Sequence, residues 1–252
     1  MTRVSSGGAV AERRRGSILW FLYITPAFFS RGQVQLQPCA TPPFTAHSAR
    51  AKRIPFIIPS VPVLRQSPPS GPAWRHEIKF DGWRGQFHKD GDQTVVFSRN
   101  GRDLSRRFPT IRDSMLCLPA RSAIIDAELV ACNTEGMPDF RALMAGAKNV
   151  CAWCFDLMEL DGIDLRPQPL AERRVRLRHL LMKADEDRLR YSDDFGDPVK
   201  LLKVADEMRL EGIVSKRADQ PYRSGKTLGW VKVKCASWRE ANRERYKTFE
   251  KA

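Results

Sequence analysis

Residues 76–98 read HEIKFDGWRGQFHKDGDQTVVFS. WRGQFH and QTVVFS alternate apolar and polar residues around KDGD, whose Asp90-Gly91 pair is a hairpin signal, so an antiparallel pair is expected here. WRHEIKF, just upstream, reads as a further strand ending near Lys79. That lysine lies two residues before Asp81-Gly82 and five before Arg84, with the carboxylate of Glu77 just upstream. The local spelling does not decide between a solvated charge at a strand end and a nucleophile.

Downstream, strands and helices alternate. Pro109 opens a helix running through Met115, SAIIDAELVAC is a strand, PDFRALMAGA a short helix, and VCAWCFDLMEL a strand apolar on both faces. PLAERRVRLRHLLMKA is an amphipathic helix with Leu170, Leu177, Leu180 and Leu181 inward, and DPVKLLKVADEMRL is another that runs into EGIVSKR. GWVKVKC alternates, with Lys232 and Lys234 on one face and Val231, Val233 and Cys235 on the other. The last segment, SWREANRERYKTFEKA, reads as a helix with a capping box of Ser237 and Glu240. The organisation expected is an N-terminal extension over 1–53, a packed domain over 54–235 and a C-terminal helix over 236–252.

The net charge of +14 points to a polyanionic partner, but eight Lys/Arg against one acid fall before residue 55, so the remainder carries +7. In that extension a basic flank precedes the apolar run Ile18–Phe29, the shape of a signal peptide's first two regions. Pro26 interrupts the run, no A-x-A cleavage site follows, and the run is too short to span a bilayer. A disordered extension is the reading adopted, with a secretory signal or partner-binding arm as alternatives; no membrane partner is expected. Residues 30–72, rich in Pro, Ser and Gln, read as linker and extended lead-in. Six irregularly spaced cysteines argue against a disulfide framework, and Cys151 and Cys154 sit in an apolar strand rather than a metal or redox motif. The histidines at 47, 76, 88 and 179 form no zinc pattern.

Taken singly, the polar candidates have bland readings. Lys232 and Lys234 fit a solvated strand face, as do Asp126 and Glu128; Phe155 fits a core; Glu211 and Lys216 fit surface charges. Their order changes this. KFDGWR (79–84), SRNG (98–101), DAELV (126–130), CFDLMELDG (154–162), EGIVSKR (211–217) and WVKVK (230–234) resemble the motif series of the covalent nucleotidyltransferases. The resemblance is strongest to bacterial ATP-dependent DNA ligases, in particular the ligase domain of end-joining ligases and its stand-alone relatives, and covers roughly residues 55–235.

What the resemblance implies is an α+β, ATP-grasp-like nucleotidyltransferase domain of antiparallel sheets flanked by helices. Lys79 matches the lysine that takes AMP from ATP; the AMP then passes to a DNA 5′-phosphate, and a 3′-hydroxyl displaces it to seal the nick. Glu77 matches a residue beside the adenine edge, and Arg84, Arg99 and Glu128 match residues around ribose and phosphates. Phe155 is the expected stacking face, Lys216, Lys232 and Lys234 match phosphate-binding lysines, and Glu211, with Glu128, is the expected holder of Mg²⁺ or Mn²⁺. Asp81 is expected to orient rather than react. A neutral lysine is required for attack, and the three nearby lysines with partial burial are expected to lower the Lys79 pKa.

Two departures stand out. Ala127 replaces a usual glycine and is expected to affect the approach of the nucleotide. Seventeen residues follow Cys235, so the usual C-terminal OB-fold is not expected within this sequence. Nicked double-stranded DNA is the expected partner, with a separate DNA-clamping or end-joining protein as a further one, in the bacterial cytoplasm at the nucleoid. An RNA ligase, a capping-type nucleotidyltransferase, or a non-catalytic nucleic-acid-binding remnant are the alternatives.

Overall fold

The hairpin expected around Asp90-Gly91 is formed in the computed structural model, which describes residues 55–243 apart from 135, 136, 183, 185 and 186. β1 (Ser60–Leu64) and β2 (Trp74–Lys79) precede it; β3 (Trp83–Asp90) and β4 (Gln93–Ser98) pair antiparallel with Asp90 opposite Gln93. β2 and β3, although separated by only Phe80, Asp81 and Gly82, belong to different sheets. The chain therefore crosses from one sheet to the other immediately after Lys79. Gly82 makes the crossing feasible, because a Cβ there would lie 2.3 Å from the Leu129 carbonyl oxygen.

The remaining strands are β5 (Ser122–Ala131), β6 (Val150–Leu160), β7 (Ile163–Asp164), β8 (Leu189–Tyr191), β9 (Asp194–Phe195), β10 (Gly212–Arg217) and β11 (Gly225–Lys234). One sheet has the order β1-β11-β10-β2-β9 and the other β4-β3-β5-β6-β7, with β8 added beside β6. Most pairs are antiparallel; β1 with β11 and β6 with β8 are parallel. The helices are α1 (Pro109–Leu116), α2 (Phe140–Met144), α3 (Leu170–Leu181), α4 (Pro198–Glu207) and α5 (Ala236–Ala241).

The principal core lies against the second sheet. Phe87, Val96, Ile125, Leu129 and Leu157 from its strands meet Ile111 and Met115 of α1 and Leu177 and Leu180 of α3. β6 is buried along nearly its whole length, as its two-sided apolar character requires, and carries Cys151 and Cys154 inside. Ala127 is fully buried in this same core, so strand parity turns it away from the face that carries Glu128. The expected effect of Ala127 on nucleotide approach is thus corrected to a packing role.

The expected capping box is also corrected. α5 is capped at Cys235 without a side-chain bond, and Ser237 instead donates its backbone N–H and its hydroxyl to Asp206 Oδ1, at 2.9 and 2.7 Å, tying α5 to α4. The expected extension over 1–53 and the part of the terminal helix beyond Arg243 lie outside the described residues.

Gly212 opens β10 at φ +154°, where a Cβ would lie 2.0 Å from the Val233 carbonyl oxygen. Neither torsion nor space admits another residue. Gly212→Ala is expected to lower the unfolding free energy by roughly 2–4 kcal/mol, read from urea denaturation; a loss below about 0.5 kcal/mol would contradict this packing.

Candidate active site

Three strands of the first sheet set the charges in register. Lys79 on β2 lies opposite Gly212 on β10, which lies opposite Lys234 on β11; in the next row on the same face, Glu77, Val214 and Lys232 align. This face and the second sheet enclose a cavity of about 740 Å³. Glu77, Lys79, Arg84, Arg99, Glu128, Phe155, Glu211, Lys216, Lys232 and Lys234 all border it. Residues spread over more than 150 positions of sequence thus meet in one space.

One end of the cavity is organised around Glu211. Its Oε2 accepts from Lys79 Nζ at 2.8 Å, and its Oε1 lies 3.3 Å from Lys234 Nζ. Lys234 Nζ also sits 4.2 Å from the centre of the Trp238 ring, and the Trp238 indole N–H donates to Asp81 Oδ2 at 3.3 Å. That bond joins the loop after Lys79 to α5. Arg99 is exposed at the rim.

The other end is aromatic. Phe155 and Trp230 meet edge to face with centres 6.1 Å apart. Lys216 Nζ lies 4.1 Å from the centre of Phe155 and 4.5 Å from that of Trp230, and it binds Glu77 Oε1 at 2.8 Å. The structure thus brings Lys216 to Glu77, while Lys232 and Lys234 line up beside Lys79. Arg84 makes a two-pronged pair with the buried Asp126, Nε to Oδ1 at 2.9 Å and Nη2 to Oδ2 at 2.6 Å. Asp126 also accepts from the Tyr222 hydroxyl at 2.9 Å, so Arg84 is held between β3, β5 and the aromatic wall.

The electrostatics correct one expectation. Burial acts to depress the Lys79 pKa, but the charges of Glu211 and Glu128, the hydrogen bond to Glu211 and the charge of Asp81 outweigh it, and Lys79 is raised. The predicted lowering by neighbouring lysines is overcome because the nearest groups are carboxylates. Lys232 is lowered by burial and by the charges of Lys79 and Lys234. Lys234 is lowered too, by burial foremost. Glu128 is pushed from 4.5 up to about 7 by burial, with Glu211 adding to the rise against the opposing pull of Lys79 and Arg84. Among the described residues no side chain donates a hydrogen bond to Glu128. A desolvated carboxylate beside Glu211 is a donor set that suits a divalent cation with oxygen preference.

Two contributors escaped the sequence reading. Trp230 follows the strand parity of Lys232 and Lys234 and was legible from it. Arg174 was not singled out, yet it and Arg173 fall on the stripe of Leu170, Leu177 and Leu181, and a charge on an apolar stripe is the signal that would have found them. Arg174 donates to Glu77 Oε1 at 2.9 Å; Arg173 grips Asp156 through Nε and Nη2, both at 2.8 Å.

Two facing sheets with this cleft between them define a nucleotidyltransferase-type fold. The chain belongs to the ATP-dependent DNA ligase domain family, whose profile matches residues 63–234. It is 36% identical over 205 residues to the multifunctional non-homologous end joining protein LigD of Pseudomonas aeruginosa, covering 79% of this chain and 24% of that protein. It is 32% identical over 169 residues to a probable DNA ligase of a Mycobacterium species (strain KMS), covering 63% of this chain and 32% of that one. Among solved structures, a mycobacterial DNA ligase D complexed with ATP and MES superposes with a TM-score of 0.63 at 25% identity, over 71% of this chain and 60% of that chain. The ligase domain of LigD from M. tuberculosis shares the fold, with a TM-score of 0.59 at 24% identity over the same shares. The chain spans about a quarter to a third of the length of the curated relatives it matches.

The Glu128 shift carries a sign. Between 4.5 and about 7 the folded state holds a proton that the unfolded state has released, so this residue's contribution to stability falls as pH rises through that window. Glu128→Gln, which removes the buried charge, is expected to match the wild type near pH 4.5 and to exceed it by about 1–2 kcal/mol at pH 8 in urea unfolding without divalent cations. A variant less stable than wild type at pH 8 would contradict the assignment.

Proposed function

We propose that the chain is the nucleotide-transferring part of an ATP-dependent DNA ligase, with Lys79 as the residue that becomes covalently adenylylated. The observation that carries this reading is the convergence of Lys79, its carboxylate partner and the motif lysines on the wall of one cavity with an aromatic end. In the first step the Nζ lone pair of Lys79 attacks the α-phosphorus of ATP. A P–N bond forms, the P–O bond to the β-phosphate breaks, pyrophosphate leaves and Nζ gives up its proton to water. Lys232 and Lys234 face the charge that develops on the phosphate oxygens, and Arg99 meets the phosphates at the rim.

Phe155 and Trp230 provide the faces for the base, with Glu77 and Lys216 at its edge and Arg84 toward the ribose. Glu211 and Glu128 are the residues that would hold Mg²⁺ or Mn²⁺, which when bound supplies charge neutralisation at the phosphates. The raised pKa of Lys79 is compatible with this reading: without nucleotide the nucleophile rests as an ammonium on Glu211, and it must be deprotonated before it reacts. The AMP then passes to the 5′-phosphate of nicked double-stranded DNA, and a 3′-hydroxyl completes sealing. A separate DNA-clamping or end-joining protein is a fitting partner, and the cytoplasm a fitting location; no helix among the described residues is long and apolar enough to cross a membrane.

The test is covalent labelling. Purified protein with Mg²⁺ and ATP labelled at the α-phosphate is expected to carry label through a denaturing gel, and Lys79→Ala to carry none. Glu211→Ala is expected to reduce labelling by about a hundredfold or more. Label from GTP alone would assign a capping-type enzyme, and label from neither would leave a non-catalytic protein. Sealing of nicked DNA against nicked RNA then separates the two ligase substrates.

A further inference from the structure

Arg174, on α3, bonds groups of both sheets at once. From α3 it donates through Nη1 to Glu77 Oε1 on β2 at 2.9 Å and to the Phe155 carbonyl on β6 at 3.2 Å. Through Nη2 it donates to the Ser192 carbonyl at 2.6 Å and to Asp194 Oδ1 on β9 at 3.2 Å. Its side chain is only 4% exposed, and its guanidinium lies 4.8 Å from the centre of the Tyr191 ring. Glu77 receives two further donors, Lys216 Nζ at 2.9 Å and the Ser192 hydroxyl at 3.1 Å, both on Oε2.

We propose that Arg174 is a positioning residue for nucleobase selectivity, acting through Glu77. The proposal rests on the reading of the Glu77–Phe155 end as the base site. A carboxylate at the base edge accepts from a 6-amino group and repels a 6-oxo group, but only if its oxygens are prevented from turning aside. Arg174 and Ser192 hold one oxygen each, from two directions. The planar fork of Arg174 also grips the backbone of Phe155, so the stacking ring on one sheet and the edge acceptor on the other keep one fixed offset. A site built this way discriminates strongly, because the wrong base leaves buried polar groups unpaired.

The experiment measures covalent labelling from ATP and from GTP across nucleotide concentrations for the wild type, Arg174→Lys and Arg174→Gln, with thermal melts of each. Arg174→Gln is expected to raise the KM for ATP by about tenfold or more with the maximal rate within about threefold, and to narrow the ATP:GTP ratio of kcat/KM by about tenfold; Arg174→Lys falls between. A merely structural arginine would lower the melting temperature and the rate while leaving that ratio unchanged, and such a result overturns the proposal. Should both variants fail to fold, Tyr191→Leu, which withdraws the ring beneath the guanidinium and leaves its charge, must narrow the ratio, and an unchanged ratio there also overturns it. If the wild type is not labelled at all, the covalent reading fails separately. Equilibrium binding of ATP against GTP then takes over: Arg174→Lys narrowing the difference supports the proposal, and equal binding of both by the wild type sinks it.

Discussion

The register between β2, β10 and β11 is the constraint from which the cavity follows. Side chains on a strand alternate between faces, so a slip of one residue would carry Glu77, Lys79, Lys232 and Lys234 to the far side of the sheet together. Gly212 locks that register from the middle strand. It stands between Lys79 and Lys234, and the absence of its side chain lets the β11 backbone approach closely enough for Glu211, one residue earlier, to reach both ammonium groups. The EG of EGIVSKR thus does two jobs: glutamate supplies the charge, and glycine supplies the proximity.

Charge balance then divides the cavity. Three carboxylates together outweigh burial at Lys79 and raise it, whereas Lys232 and Lys234 are lowered, by burial foremost. The Lys79 end therefore has more negative character than a list of its lysines suggests, and Glu128, raised by burial foremost with the charge of Glu211 adding to it, retains a proton to about pH 7. Such a resting site is compatible with the covalent role proposed for Lys79, whose ammonium sits on Glu211. The aromatic end is different, since Lys216 is lowered there by burial and by the charge of Arg174.

Much of this was legible in the sequence, for identifiable reasons. Period-two alternation placed Lys232 and Lys234 on one face of β11 and Asp126 and Glu128 on one face of β5, and the structure keeps both arrangements. The order of the short motifs indicated which distant segments belong together. What could not be read was which cation meets which carboxylate. Lys216 and Lys232 look equivalent as spaced lysines, but one is a strand neighbour diagonal to Glu77 and the other lies in the row of Val214, a distinction that exists only once β2 and β10 are aligned. The same holds for the sign of the Lys79 shift, which depends on distances to carboxylates more than a hundred residues away along the chain for Glu211.

The two successive arginines of α3 show why such a cavity carries ionic groups where leucines would pack more simply. A buried pair such as Arg173 with Asp156 gains little over apolar residues of equal volume, because both charges lose their water. Its return is geometric. Arg173 fixes the carboxylate of Asp156, and Arg174 fixes the carbonyl of Phe155, so the helix holds β6 at two adjacent residues on either side of one peptide unit. An apolar contact would allow that strand to slide by fractions of an ångström at small energetic expense, whereas paired forked hydrogen bonds lose alignment at once. The ring of Phe155, which projects from this segment into the cavity, inherits that rigidity.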